Sequence, residues 1–234
     1  MQRIPWEDLE ADFLAEQEQG EHVGAFGPSG VGKSLVLFHL AEQRVEERNA
    51  FVCILANKRR DPTLQRLLSQ GYRRIQEWPP SYQDRAKHRI VFWPPYPGPS
   101  DPKRYVPQFM EALDGIMAEG NWTIVVDEAR YWSEQMGLRT QLDELWTGAR
   151  SNGVTIYAGA QGPSWIPTAA KENLSWGIFF RPQHRERAKE TADITGDRNI
   201  YEELQELGPH EFILMRLKTQ EAYISKLPYP AKRS

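Results

Sequence analysis

A single cysteine, Cys53, excludes a disulfide framework and any cysteine-rich metal site. It falls within the apolar run Ala50 to Ala56, where a thiol serves as a small core residue rather than as a nucleophile. No apolar stretch approaches the roughly 20 residues needed to cross a bilayer. The opening Met1-Gln2-Arg3-Ile4-Pro5-Trp6-Glu7-Asp8 lacks the charged-then-apolar order of a signal peptide. Internal repeats and low-complexity tracts are also missing. These absences lead us to expect a chain with no membrane span of its own, working in a reducing compartment. With 234 residues, 40% of them hydrophobic, the chain can bury one substantial α/β core and little else.

Charge is nearly balanced, at a net −3, but unevenly spread. Between Lys58 and Arg89 lie nine basic residues (Lys58, Arg59, Arg60, Arg66, Arg73, Arg74, Arg85, Lys87, Arg89) against three acidic ones, leaving the remainder of the chain strongly acidic. A local basic field on an acidic protein suits a polyanion-binding face, because phosphate neutralisation releases counterions. A solvated charged surface would read the same way.

Two motifs carry chemistry. Gly27-Pro28-Ser29-Gly30-Val31-Gly32-Lys33-Ser34 is a complete phosphate-binding P-loop, set between an apolar strand (His22 to Phe26) and an amphipathic helix (Lys33 to Glu46). Its glycines let backbone amides turn toward phosphate oxygens at the positive end of the helix. Lys33 would reach the β and γ phosphates, and Ser34 would donate a hydroxyl oxygen to Mg²⁺. Trp122-Thr123-Ile124-Val125-Val126-Asp127-Glu128 is an apolar strand of the kind covered on both faces, ending in two carboxylates at the edge where open α/β sheets bind ligands. Asp127 would join the Mg²⁺ shell, and Glu128 would orient or deprotonate the attacking water. Together the motifs point to hydrolysis of a nucleoside triphosphate, with ATP and Mg²⁺ as the bound species. Asn57-Lys58-Arg59-Arg60-Asp61 has one residue too many for the guanine-reading N-K-x-D and precedes the Asp127 strand, so a GTPase is rejected.

Along the rest of the chain, residues 6 to 19 read as an acidic amphipathic helix with Trp6, Leu9, Phe13 and Leu14 on one side. A strand from Ala50 to Ala56 and a helix from Pro62 to about Gln70 follow the P-loop helix. Residues 78 to 102, rich in proline and aromatics, read as ordered surface loops around a strand from Arg89 to Trp93. Their aromatics would stack on nucleic acid, pack between subunits or fill a local core. Further helices are expected at 104 to 118, 140 to 151, 185 to 194 and 200 to 207, and further strands at 154 to 158 and 176 to 180. A terminal hairpin pairs 212 to 217 with 223 to 227.

From Val125 to Ile166 the chain resembles the FtsK/HerA superfamily of ring-forming DNA translocases. The residues that carry the likeness are Val125-Val126-Asp127-Glu128-Ala129, Ala149-Arg150-Ser151-Asn152-Gly153-Val154 and Ala158-Gly159-Ala160-Gln161-Gly162-Pro163-Ser164. The resemblance implies a RecA-like P-loop NTPase: a central, mostly parallel sheet flanked by helices with a C-terminal antiparallel hairpin, spanning 21–234 as a single domain after an N-terminal helix in 1–20. It implies that Gln161 senses the γ-phosphate and that Arg150, on the helix before its strand, enters a neighbour's site as an arginine finger. Arg130, Arg139 and Arg181 are rivals for that role. Two positions depart from the superfamily pattern: Ala160 stands for threonine, and Gly162 for the arginine after the glutamine.

The compact plan is similar to the genome-packaging ATPases of tailless, internal-membrane double-stranded DNA viruses. That likeness implies a homo-oligomeric ring, expected as a hexamer, acting on double-stranded DNA and docking on capsid or portal-vertex proteins, in the host cytoplasm or with the virion. A plasmid-transfer or chromosome-partition DNA pump is the alternative with the same motor. A P-loop small-molecule kinase has less use for the paired acids or for Gln161, a nucleotide-dependent scaffold would bind without turnover, and an AAA+ loader would carry a helical lid where a hairpin is expected.

Overall fold

The computed structural model describes residues 1–56, 60–95 and 102–228. Short parallel strands dominate it: β1 (Gln2–Arg3), β2 (His22–Phe26), β3 (Phe51–Leu55), β4 (Arg73–Ile75), β5 (Arg89–Phe92), β6 (Trp122–Val126), β7 (Thr155–Ala160), β8 (Leu174–Phe180), β9 (Glu211–Arg216) and β10 (Glu221–Lys226). They form one sheet in the order β1-β10-β9-β8-β2-β7-β6-β3-β5-β4. From β8 to β4 every pairing is parallel, while β9 runs antiparallel to β8 and to β10. The expected α/β architecture with a terminal hairpin is therefore present, and the hairpin extends the sheet beyond β8.

Strand residues alternate between two cores because successive side chains point to opposite faces. Val52, Ile54 and Val125 face one cluster, and Cys53, Leu55, Ile124 and Val126 the other. The first cluster is covered by α1 (Trp6–Glu16), α2 (Lys33–Arg48) and α3 (Pro62–Ser69). Residues of α5 (Val106–Glu119), α6 (Arg139–Gly148), α7 (Thr168–Asn173), α8 (Arg185–Thr195) and α9 (Ile200–Glu206) fill the second. Both faces are thus dry, as a parallel sheet requires. A four-residue helix, α4 (Tyr82–Arg85), precedes β5.

The N-terminal helix packs on this chain's own sheet: Trp6 lies edge-on to Phe212, and Phe13 edge-on to Trp176. Aromatics of the proline-rich stretch divide between core and surface. Trp78 and Trp93 are buried, Trp78 against Trp122 and Phe92, whereas Tyr82 is exposed. Gly115 on α5 is what admits Trp78, since a Cβ there would lie 2.1 Å from the indole nitrogen. Tyr96 and Pro97 lie outside the described residues.

At the edge of the sheet where β2, β6 and β7 begin, two buried polar groups join elements. Arg44 of α2 donates to Thr123 Oγ1 at 3.0 Å, to Gln17 Oε1 at 2.9 Å and to Gln19 Oε1, and Gln17 also accepts from the Tyr157 hydroxyl at 2.7 Å. A guanidinium without a carboxylate is tolerated there because each nitrogen finds an oxygen. His22 accepts at Nδ1 from the Ile156 amide at 3.1 Å and packs edge-on to Trp146, and its buried Nε2 makes no hydrogen bond among the described residues. Burial, reinforced by the nearby Arg150 charge, pulls the His22 imidazole down to about 4 from its ordinary 6.5.

The neutral ring thus belongs to the folded state, and the unfolded chain takes up a proton first as pH falls through 6.5. His22 should then make stability fall between pH 6.5 and about 4 by up to roughly 3 kcal/mol. Urea denaturation of His22→Gln should show a visibly smaller loss over that window than the parent protein; equal losses would contradict the assignment.

Candidate nucleotide site

Gly27-Pro28-Ser29-Gly30-Val31-Gly32 connects the end of β2 to the start of α2. Gly32 caps α2 with φ 117°, a left-handed conformation that only glycine adopts without strain. Gly27 has φ 155°, and a Cβ there would lie 2.7 Å from Phe180 Cβ, so the loop enters pressed against the end of β8. Its amide donates to Ala160 O at 3.2 Å, fixing the loop to the end of β7. Lys33 is buried, and its ammonium donates to Pro28 O at 2.9 Å, so the charge is folded into the phosphate cradle.

Three parallel strands set the other groups by register. Phe26 pairs with Ala160, which puts Gln161 beside Gly27. Val126 pairs with Ala158, which puts Asp127 beside Gly159. At Gly159 a Cβ would stand 3.1 Å from Asp127 Oδ1 and 3.5 Å from Leu37, so the missing side chain is the space the carboxylate uses. Glu128 has φ 64°, an uncommon conformation for a residue other than glycine, which turns the chain out of β6. Its carbonyl accepts from the Tyr131 amide at 2.9 Å, and a π-helical turn over Tyr131–Gln135 follows.

The result is an open cleft of about 520 Å³ lined by Lys33, Ser34, Asp127 and Glu128, with Thr63 and Arg66 of α3 on its far wall. A hydroxyl and a carboxylate sharing a cleft are hard oxygen donors that fit Mg²⁺, which draws its remaining ligands from water and substrate phosphates. Among the described residues no cluster of three or more histidine, cysteine, aspartate or glutamate side chains is placed to hold a metal. Arg66 was counted in the basic segment by charge alone; its place at the cleft depends on where α3 packs.

A second cavity, also about 520 Å³, opens on the opposite flank of the P-loop, between the stretch after β8 and the turn before β9. Val31, Phe180, Gln183, Gln205 and Leu207 line it. His210 closes it against the loop, donating from Nδ1 to Val31 O at 3.2 Å with its backbone at φ 64°. No sequence pattern signalled this cavity, because its walls come from segments some 150 residues beyond the P-loop.

Arg150 sits elsewhere. Helix α6 ends at Gly148, so Arg150 occupies the turn after it, rather than the helix. It packs against Gly20, where a Cβ would lie 3.1 Å from Arg150 O. That is the beginning of β7, a strand's length, roughly 20 Å, from the P-loop of its own chain. Of the rival arginines, Arg130 is engaged with Glu134 at 2.7 Å and lies over the Trp165 ring, and Arg181 donates to Leu207 O at 3.3 Å.

No family model and no curated protein matches the chain. Solved structures do. The DNA-packaging ATPase B204 of Sulfolobus turreted icosahedral virus superposes with a TM-score of 0.68 at 15% identity, covering 90% of this chain and 98% of that one. The cytoplasmic domain of the type VII secretion ATPase EccC of Thermomonospora curvata gives 0.60 at 16% identity, covering 94% and 27%. The pCW3 conjugation coupling protein TcpA, solved with ATPγS, gives 0.57 at 13% identity, covering 95% and 68%. At such identities what is shared is the fold, and it is the fold that the resemblance to FtsK/HerA-type ATPases led us to expect.

The Gly159–Asp127 approach is directly testable. Gly159→Val should push the carboxylate aside and remove most of the enhancement that Mg²⁺ gives to ADP binding in calorimetry; an unchanged Mg²⁺ dependence would show that Asp127 does not need that space.

Proposed function

We propose that this protein is a magnesium-dependent ATPase that moves double-stranded DNA, acting as a ring in the packaging of a viral genome. The observation that carries the reading is the shared cleft: the lysine-bearing loop and the paired acids, separated by almost a hundred residues, line one opening. The P-loop amides and Lys33 would hold the β and γ phosphates. Bound Mg²⁺, held by Ser34 and Asp127, would neutralise charge on the phosphate oxygens. Glu128, next to Asp127, is placed to accept a proton from the attacking water. Gln161, just past the end of the strand between loop and acids, would register loss of the terminal phosphate.

With the terminal phosphate directed at Asp127 and Glu128, the nucleoside end must leave on the other flank of the P-loop. The cavity closed by His210 would receive it, with the phosphates on one side of the loop and base and ribose on the other.

A packaging motor is favoured over a transfer pump by closeness of fold: the viral DNA-packaging ATPase superposes with a TM-score of 0.68, against 0.60 and 0.57 for the secretion and conjugation proteins. Arg150 sits at the far end of the strands from its own cleft, so an arginine-finger role for it would be played in a neighbouring subunit's site. For DNA contact the basic segment is narrower than its composition suggests. Arg85 pairs with Glu119, Arg89 with Glu42 and Glu46, and Arg74 lies over Trp93. Arg60, Arg73 and Lys87 remain exposed, and Lys58 and Arg59 lie outside the described residues. Capsid or portal-vertex proteins would be the docking partners, in the host cytoplasm or at the virion.

Lys33→Ala should reduce ATP turnover by about 100-fold or more, and Glu128→Gln should still bind ATP while failing to hydrolyse it. Turnover of the parent protein should rise with long duplex DNA and be indifferent to small phosphate acceptors; stimulation by a metabolite alone would favour a kinase. For the nucleoside cavity, His210→Asn keeps a residue that tolerates the left-handed conformation and removes the imidazole. It should weaken ADP binding about tenfold and leave inorganic tripolyphosphate unaffected; equal effects on both would place the nucleoside elsewhere.

A further inference from the structure

Gly162 lacks a side chain for a reason its backbone does not supply. Its φ of −168° is open to any residue. Space decides instead: a Cβ would lie 2.9 Å from Arg187 Cδ and 3.1 Å from one of its guanidinium nitrogens. Arg187 comes from α8, yet its side chain lies along the loop after β7. It donates to Ser164 Oγ and to both oxygens of Glu190, at 2.7 and 3.0 Å, and its guanidinium carbon stands 5.0 Å from the Trp165 ring centroid. Arg130, two residues after Glu128, packs on the same indole at 4.4 Å and is neutralised by Glu134. One tryptophan therefore gathers two arginines from two other segments.

We propose that Arg187 is a positioning residue for the Gln161 loop, occupying the space beside Gly162 and, through Trp165 and Arg130, fixing Gln161 relative to Glu128. This rests on the ATPase reading. Both guanidiniums already have carboxylate partners, which suits them to a clamp rather than to contact with a phosphate. The three segments joined are the one after the acids, the one bearing Gln161, and the helix whose start, Arg185, lines the nucleoside cavity. A change at the terminal phosphate would be transmitted to the far wall of the site along this path. The sequence at 160–164 provides no basic residue of its own, and Arg187 brings one from 25 positions beyond Gly162.

A Cβ at 162 meets the far end of a flexible side chain, so Gly162→Ala should expel the guanidinium without disturbing the fold. Arg187→Ala, Gly162→Ala and the double variant should each show kcat for ATP reduced about tenfold with KM within about twofold, the double being no worse than either single. Arg187→Lys, which keeps the charge and loses the planar stack, should recover only part. Hydrogen exchange of residues 161–167 should quicken alike in Gly162→Ala and Arg187→Ala, whether or not ATP is turned over. Additive losses of kcat, or unchanged exchange in Arg187→Ala, would overturn the clamp. Turnover that survives Lys33→Ala would instead defeat the ATPase reading and leave exchange to decide the clamp.

Discussion

The proposed triphosphate site depends on three adjacent parallel strands that end at one edge. Strand β2 delivers the P-loop, β6 delivers Asp127 and Glu128, and β7 lies between them. A shift of one residue in either pairing would turn every side chain to the other face and take Gly159 away from Asp127. The two hydrophobic clusters enforce the register, because the strands alternate into cores on both faces. The site is thus a consequence of packing.

Polar groups at the opposite end of the strands complete that constraint. Arg44 ties α2, the segment before β2 and the start of β6 into one network, and His22 links the beginnings of β2 and β7. In the ring motor proposed above, this base would need to stay rigid while loops at the other edge move. The moving parts would be the segments around Gln161 and His210, which lie at strand ends without being part of the sheet, with Arg187 of α8 holding the first.

Much of this was legible in sequence because the signals are local. The P-loop, the apolar run into Asp127-Glu128 and the helix after Lys33 each depend on residues within about ten positions of one another, so periodicity and glycine spacing reveal them. Strand β4, the pair Gln2–Arg3 and the short helix α7 were not expected, as elements of two to six residues carry too little periodicity and form only because neighbours supply partners. The aromatics of the proline-rich stretch could not be assigned, since burial of Trp78 depends on Gly115. Arg150 was expected on a helix that stops two residues short of it. The contacts made by Gly159, Gly162, Arg187 and His210 are relations between distant segments, and single-chain spacing does not encode them.

The central claim is that Ser34, Asp127 and the phosphates of one nucleotide meet at one metal ion. Pulsed electron–nuclear double resonance of the protein loaded with Mn²⁺ and ATPγS measures that meeting at the metal. Phosphorus couplings from the β and γ phosphates are expected in the parent protein, together with loss of the bound-Mn²⁺ signal in Asp127→Asn. Mn²⁺ that binds without phosphorus coupling, or that is indifferent to Asp127, would contradict it.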